Sequence, residues 1–131
     1  MEKPSTSIQE LARRLLSMEA AKRAETDPHE AERVCEKLRL ALTRFAGADG
    51  FLALMRRSLA LARAEVPALE GVKLRPEGCF VGFEAALGGN GTEAGAALTG
   101  HFLWLLVTFV GEPIALRLVS EAWPDVLIDD R

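Results

Sequence analysis

Apolar residues recur at helical spacing along the first half of the chain and predict three amphipathic helices. The first helix is predicted over about 7–25, the second from about 28 to Gly47, and the third from about 49 to Pro67, where proline ends it. The predicted core positions of these helices are Ile8, Leu11, Leu15, Met18, Ala31, Val34, Cys35, Leu38, Ala41, Leu42, Phe45, Phe51, Met55, Leu59, Ala62 and Val66.

The pattern changes after Pro67 and then returns to helix. Residues 72–75 alternate in polarity, and a Pro-Glu-Gly turn follows, which predicts a small β-hairpin at about 72–83. A fourth helix is predicted over about 92–110 and a fifth over about 113–123, separated by Gly111. The expected fold is mainly α: a compact bundle of about five helices in one domain over 1–131, with the hairpin between helices three and four. We expect the last two helices to form its buried centre.

Composition fits one ordinary soluble domain and gives an acidic protein. The chain has 131 residues, 49% of them hydrophobic, and a formal net charge of −3. Residues 1–75 carry +3 and residues 76–131 carry −6. This asymmetry reflects either solvated helices in the first half or two halves that meet different partners.

Basic residues of the third predicted helix, Arg56, Arg57 and Arg63, suggest a helix-turn-helix element with its turn at 46–50. The residues that would enter the DNA groove, 51–55, are aliphatic and aromatic, so they cannot read bases. Together with the acidic net charge, this indicates no nucleic-acid partner.

Enzymatic and cofactor signatures are missing from the sequence. The pattern Gly89-x-Gly91-x-x-Ala94 lacks the strand that a dinucleotide site needs directly before it. No phosphate-binding loop, nucleophile elbow or metal-ligand spacing occurs. We therefore expect a non-enzymatic protein without catalytic residues, metal ligands or cofactor.

The longest uncharged run, 94–111, reaches the lower length limit of a membrane span. Both of its flanks are acidic and no Lys or Arg anchors it, which favours a core helix buried on all sides over a membrane helix. The N-terminus has no apolar signal segment, and Cys35 and Cys79 form no CxxC pair. These features predict a reduced, cytoplasmic protein with no membrane partner.

A candidate ligand pocket lies beside the fourth predicted helix, at Gly95, Gly100, His101 and Trp104. Glycine costs about 1 kcal/mol against alanine inside a helix, so we expect another backbone, of the same chain or of a second subunit, to approach closely. His101 has apolar neighbours in the sequence and is either a neutral, hydrogen-bonded core histidine or a ligand-contacting one.

Three leucines fall outside the core stripes and form a candidate interface: Leu40, Leu52 and Leu61. Their predicted exposure leads to the first functional hypothesis, a protein-interaction or adaptor module that associates with itself as a homodimer. The second hypothesis is a sensor domain that binds a small apolar ligand beside the fourth helix.

Overall fold

The fold is mostly helical, as the sequence predicts. A computed structural model describes residues 6–22, 30–75, 80–81, 91–124 and 126. Within these ranges the helices are α1 (Thr6–Lys22), α2 (Glu30–Glu65), α3 (Gly91–Val110) and α4 (Glu112–Ala122), and a 3₁₀ helix (Pro67–Gly71) follows α2.

A bend at Gly47 joins what the sequence predicts as the second and third helices. Gly47 has φ 85° and ψ 164°, so it breaks the helical backbone of α2 with a conformation that glycine adopts without a Cβ penalty. The described helices therefore number four, and a set of five separate helices is not confirmed. A second positive-φ glycine, Gly111 with φ 94°, turns the chain between α3 and α4.

The predicted hairpin region contains a short pair of strands. Strand β1 (Lys73–Leu74) runs antiparallel to β2 (Phe80–Val81), and Lys73 lies opposite Val81. The predicted turn at 76–78 and residues 82–83 lie outside the described residues. The strand pair is therefore established, and the complete hairpin stays a prediction.

The core forms where α3 packs against α1 and α2. Gly95 of α3 sits directly against α2, because a Cβ built on it would lie 3.2 Å from the Cβ of Ala31. The close approach that its glycine predicts is thus made by a helix of the same chain. Fully buried side chains at the centre of the molecule include Leu15, Leu42, Phe51, Met55, Leu69, Leu98, Phe102, Leu103, Leu106 and Trp123.

Three predictions about burial are wrong at one end of the bundle. The fourth predicted helix, now α3, is not buried on all sides: half of the apolar window Glu93–Val110 is buried, and Phe109 is 68% exposed. Phe45, predicted in the core, is 50% exposed, because the bend at Gly47 ends the first arm of α2 just beyond it. Helix α4 buries one face only and leaves Ile114 exposed.

A buried carboxylate ties three helical segments together. Glu19 of α1 has no exposed surface, yet Arg33 Nε and Lys37 Nζ of α2 lie 3.0 and 2.6 Å from its oxygens. Trp123, the residue that follows α4, donates from its indole Nε1 to Glu19 Oε2 at 2.9 Å. The Lys37 ammonium also lies 5.6 Å from the centroid of the Trp123 ring, within cation–π range.

These partners decide the charge of Glu19. Burial on its own raises the pKa of a carboxyl group, but the hydrogen bonds from Lys37, Trp123 and Arg33 outweigh it and hold the pKa of Glu19 below its ordinary value. A carboxylate whose pKa is lower in the folded than in the unfolded state stabilises the fold above its unfolded value, about 4.3. That stabilisation is lost as the pH falls through the lower, folded-state pKa.

We predict that Glu19→Gln lowers the free energy of unfolding at pH 7 by about 1–3 kcal/mol, because it leaves two cations around a neutral, buried group. This loss is smaller than is usual when one partner of a fully buried ion pair is removed. The reason is that Arg33 and Lys37 each keep about a third of their side-chain surface in water. Urea unfolding at pH 7 and at pH 4 measures it. The difference in unfolding free energy between wild type and variant should be smaller at pH 4, because Glu19 of the wild type loses part of its stabilising charge there.

The matched control is Glu36→Gln, which removes an exposed carboxylate that pairs with Arg39 on the surface of α2. We expect a change within about 0.5 kcal/mol, as is usual for exposed ion pairs. If Glu19→Gln and Glu36→Gln cost the same at pH 7, the buried network does not stabilise the fold.

Candidate functional site

His101 and Glu65 form a polar pair at the junction of α3 with the end of α2. His101 is only 3% exposed, and its Nε2 lies 2.8 Å from Glu65 Oε1. A carboxylate only accepts hydrogen bonds, so Nε2 carries the hydrogen and donates. The other ring nitrogen, Nδ1, is buried and has no hydrogen-bond partner among the described residues. His101 is therefore a buried histidine with one of its two ring nitrogens hydrogen-bonded among the described residues.

A cavity of about 190 Å³ opens beside this pair, and we call it the His101 cavity. Its small residues come from α3, and its charged residues come from α1, α2 and the first turn of α3. The residues around it are Gln9, Arg13, Glu65, Val66, Glu93, Ala96, Ala97, Gly100 and His101. The cavity is thus mixed in polarity, with two carboxylates and one guanidinium around a floor of small side chains.

The predicted pocket is brought together only in part. Gly100 and His101 line the His101 cavity, whereas Gly95 is packed against Ala31 and Trp104 lies partly buried outside the lining. The charged members of the site were missed by the sequence analysis. Glu65 stands 36 positions before His101, and helical periodicity reports only neighbours on one helix.

Two shallow grooves with apolar walls flank the bend in α2. The first groove, of about 450 Å³, lies between the second arm of α2 and the end of α3. It is lined by Gly50, Ala53, Leu54, Arg57, Leu105, Thr108 and Phe109. The second groove, of about 270 Å³, lies between the first arm of α2 and α4. It is lined by Ala41, Arg44, Phe45, Ile114, Arg117, Leu118 and Glu121.

The exposed hydrophobic residues lie in or next to these grooves. Phe109 belongs to the first groove, while Phe45 and Ile114 belong to the second. Of the predicted interface leucines, Leu40 is 55% exposed and directly precedes Ala41 of the second groove, but Leu52 and Leu61 are partly buried. The sequence missed both phenylalanines, because Phe45 stands on a predicted core stripe and Phe109 in a helix predicted to be buried on all sides. Each ring loses its cover where the chain turns.

The surface arginine Arg63, weighed above as part of a DNA-reading helix, is held by backbone carbonyls. Its guanidinium donates to the oxygen of Val72 at 2.9 Å and to that of Leu69 at 3.4 Å. It therefore fixes the segment after α2 to the end of that helix. In the part of the chain that the structure covers, no group of three or more His, Cys, Asp or Glu side chains is arranged to hold a metal ion.

Comparison with protein-family models, with curated proteins and with solved structures found no match to the chain. By length and composition, Glu93–Val110 qualifies as a candidate membrane span, with a mean hydropathy of 1.4, and half of it is buried inside the fold. The candidate functional features of the described chain are therefore the His101 cavity and the two grooves.

We predict that Gly95→Leu destabilises the protein by about 1–3 kcal/mol, because the new side chain is forced into the contact with Ala31 and Leu16. Urea unfolding of the variant measures the loss. Ala20→Leu, on an exposed position of α1, is the control and should stay within about 0.5 kcal/mol of wild type. Equal stability of the two variants would show that α3 does not need a glycine at this contact.

Proposed function

We propose that this protein is a non-enzymatic, helical interaction module that associates with itself as a homodimer through the grooves beside the α2 bend. The observation that carries the proposal is the 68% exposure of Phe109 at the edge of an apolar groove. A large aromatic side chain left this exposed costs solvation free energy that a partner surface recovers.

A second copy of the chain suits this surface because the exposed ring of Phe109 and the first groove lie side by side on it. In a two-fold symmetric dimer the same patch is used twice, so each copy's Phe109 can enter the first groove of the other. The groove, at about 450 Å³, has room for an aromatic ring, and its walls come from Ala53, Leu54 and Leu105. Phe45 and Ile114 extend the apolar surface across the bend.

Charged residues surround this apolar centre in the manner of an interface rim. Arg57 borders the first groove, and Arg44, Arg117 and Glu121 border the second. Interfaces commonly have aromatic anchors at the centre and charged residues at the edge, where water remains. The arrangement therefore supports a protein partner over a bare lipid or nucleic-acid surface.

The apolar window of α3 and the cysteines bear on where the protein resides. We propose a soluble, cytoplasmic protein of one domain, because half of the apolar α3 window is inside the fold and the two cysteines, Cys35 and Cys79, form no CxxC pair in the sequence. We also propose that residues 72–83 form a complete β-hairpin and that the protein is not an enzyme. The alternative, a sensor for a small apolar ligand, is favoured by the presence of a cavity at His101 but not by its charged lining.

We predict that the wild type sediments at twice the mass of the 14.2 kDa chain and that Phe109→Glu shifts it to monomer. A charge in place of a central aromatic anchor removes roughly 2 kcal/mol or more, which weakens dimerisation by about 30-fold or more. Sedimentation equilibrium at chain concentrations of roughly 5–200 μM, which suits a dimer of moderate affinity, measures the shift. Leu40→Glu should weaken the dimer less than Phe109→Glu does, because Leu40 lies at the margin of the second groove.

Ser17→Glu serves as the control, since it adds the same charge on an exposed face of α1 that lines neither groove. We expect this variant to remain dimeric. A wild type that is monomeric across the whole concentration range rules out the proposed function, as does a dimer that Ser17→Glu and Phe109→Glu weaken equally.

A further inference from the structure

The second groove has apolar walls and a basic border, and a short stretch near the end of the chain has the complementary pattern. Residues 127–130, which lie outside the described residues, have the sequence Leu-Ile-Asp-Asp, and we call them the tail segment. We propose that the tail segment binds in the second groove of its own chain and covers it. This contact goes beyond the proposed homodimer, whose anchor, Phe109, belongs to the first groove.

The chain is held beside one end of the second groove just before the tail segment begins. The backbone N–H of Val126 donates to the oxygen of Trp123 at 3.0 Å, and Val126 is buried. The centroid of the Trp123 ring lies 5.6 Å from Lys37 Nζ. Ala41, the first residue of α2 that lines the groove, comes one helical turn after Lys37.

The tail segment is long enough to follow the groove from this end. Arg44, at the border of the groove, comes seven positions after Lys37, which is about 10 Å along the helix axis. An extended chain advances about 3.3 Å per residue, so Asp129 and Asp130 reach roughly 10–13 Å from Val126. The two carboxylates can therefore arrive at the basic border of the groove.

The apolar part of the tail segment fits the apolar walls that it passes on the way. Leu127 and Ile128 come before the two aspartates. The walls include Phe45, which is 50% exposed, and Ile114, which is also exposed. Contact between these side chains removes apolar surface of both groups from water, which stabilises the bound segment.

Charge gives the tail segment its orientation. Arg44 and Arg117 border the groove together with one carboxylate, Glu121, which leaves it a net charge of +1. Within the described part of the chain neither guanidinium makes an ion pair. Asp129 and Asp130 give the segment a charge of −2. Exposed ion pairs contribute little each, so the apolar contact supplies most of the binding and the charges fix its direction.

The bound tail segment competes with a second copy of the chain for the second groove. A second copy covers Phe45 and Ile114 only where the tail segment has left them, so the dimer is weakened in proportion to the fraction of chains whose groove is covered. This consequence rests on the proposed function, whereas the intramolecular contact does not.

Methyl NMR of the full-length Phe109→Glu variant tests the contact in the absence of the proposed dimer. The chain has three isoleucines: Ile8 in α1, Ile114 in the second groove and Ile128 in the tail segment. With isoleucine δ1 methyls and phenylalanine rings labelled, we expect NOEs from the Ile128 methyl to the Ile114 methyl and to the ring of Phe45. The buried Ile8 methyl is the internal control and should show no NOE to Ile128.

Two substitutions in the same background test the chemistry of the contact. Arg44→Gln should lower the ratio of bound to free tail segment by about 1.5- to 5-fold, as expected for an exposed ion pair, and the position of the Ile128 methyl signal measures it. Arg56→Gln, at an exposed position that lines neither groove, is the control and should leave that signal unchanged. Ile128→Ser should release the segment and, in the otherwise wild-type chain, tighten the dimer.

Three outcomes would overturn the proposal. The first is the absence of NOEs between Ile128 and Ile114, and the second is an equal effect of Arg44→Gln and Arg56→Gln. The third is a set of NOEs that, in a mixture of differently labelled wild-type chains, occur only between chains, since the segment then binds the second copy. A wild type that is monomeric at all concentrations contradicts the homodimer alone, because the NOEs within one chain are still expected.

Discussion

The charge on Glu19 is the constraint on which the rest of the structure depends. A carboxylate with no exposed surface is tolerated only when its lone pairs are occupied, and here three donors from two other parts of the chain occupy them. Because Trp123 follows α4 directly, the network fixes where the last helix ends against α1. The position of α4 in turn decides which face of α2 is covered and which part of the groove beside Phe45 stays open.

Helical periodicity was sufficient to predict most of the elements and most of the core. The stripes on α1 and α2 are buried nearly as predicted, and the predicted ends at Pro67 and Gly111 agree with the structure, because proline and positive-φ glycine act locally. The burial of Glu19 could not be predicted from periodicity. It falls between apolar positions of α1 and looks like a surface residue, and the partners that make its burial possible lie 14 to 104 positions away.

The candidate sites were predicted less well than the fold, for a related physical reason. A cavity forms where helices diverge, and crossing geometry depends on side-chain sizes at contacts that the sequence does not pair. His101 was recognisable because an isolated polar residue stood in an apolar run, whereas Glu65 had no comparable signal. Similarly, the predicted interface leucines lie off the core stripes, whereas two of the large exposed side chains are Phe45, on a predicted stripe, and Phe109, in a helix predicted to be buried on all sides. A bend and a corner of the chain remove the neighbours of these two rings.

The His101 cavity and the first groove follow from a gradient of side-chain size along α3. Its first half is rich in Gly and Ala, so α1 and α2 approach closely there, as the contact between Gly95 and Ala31 shows. Its second half is bulky, from His101 to Phe109. The cavity lies at the transition, where Gly100 precedes His101, and the apolar groove lies where Leu105 and Phe109 extend past the cover of α2. One helix therefore carries both the polar pair at His101 and, about two turns further along, the exposed ring of Phe109.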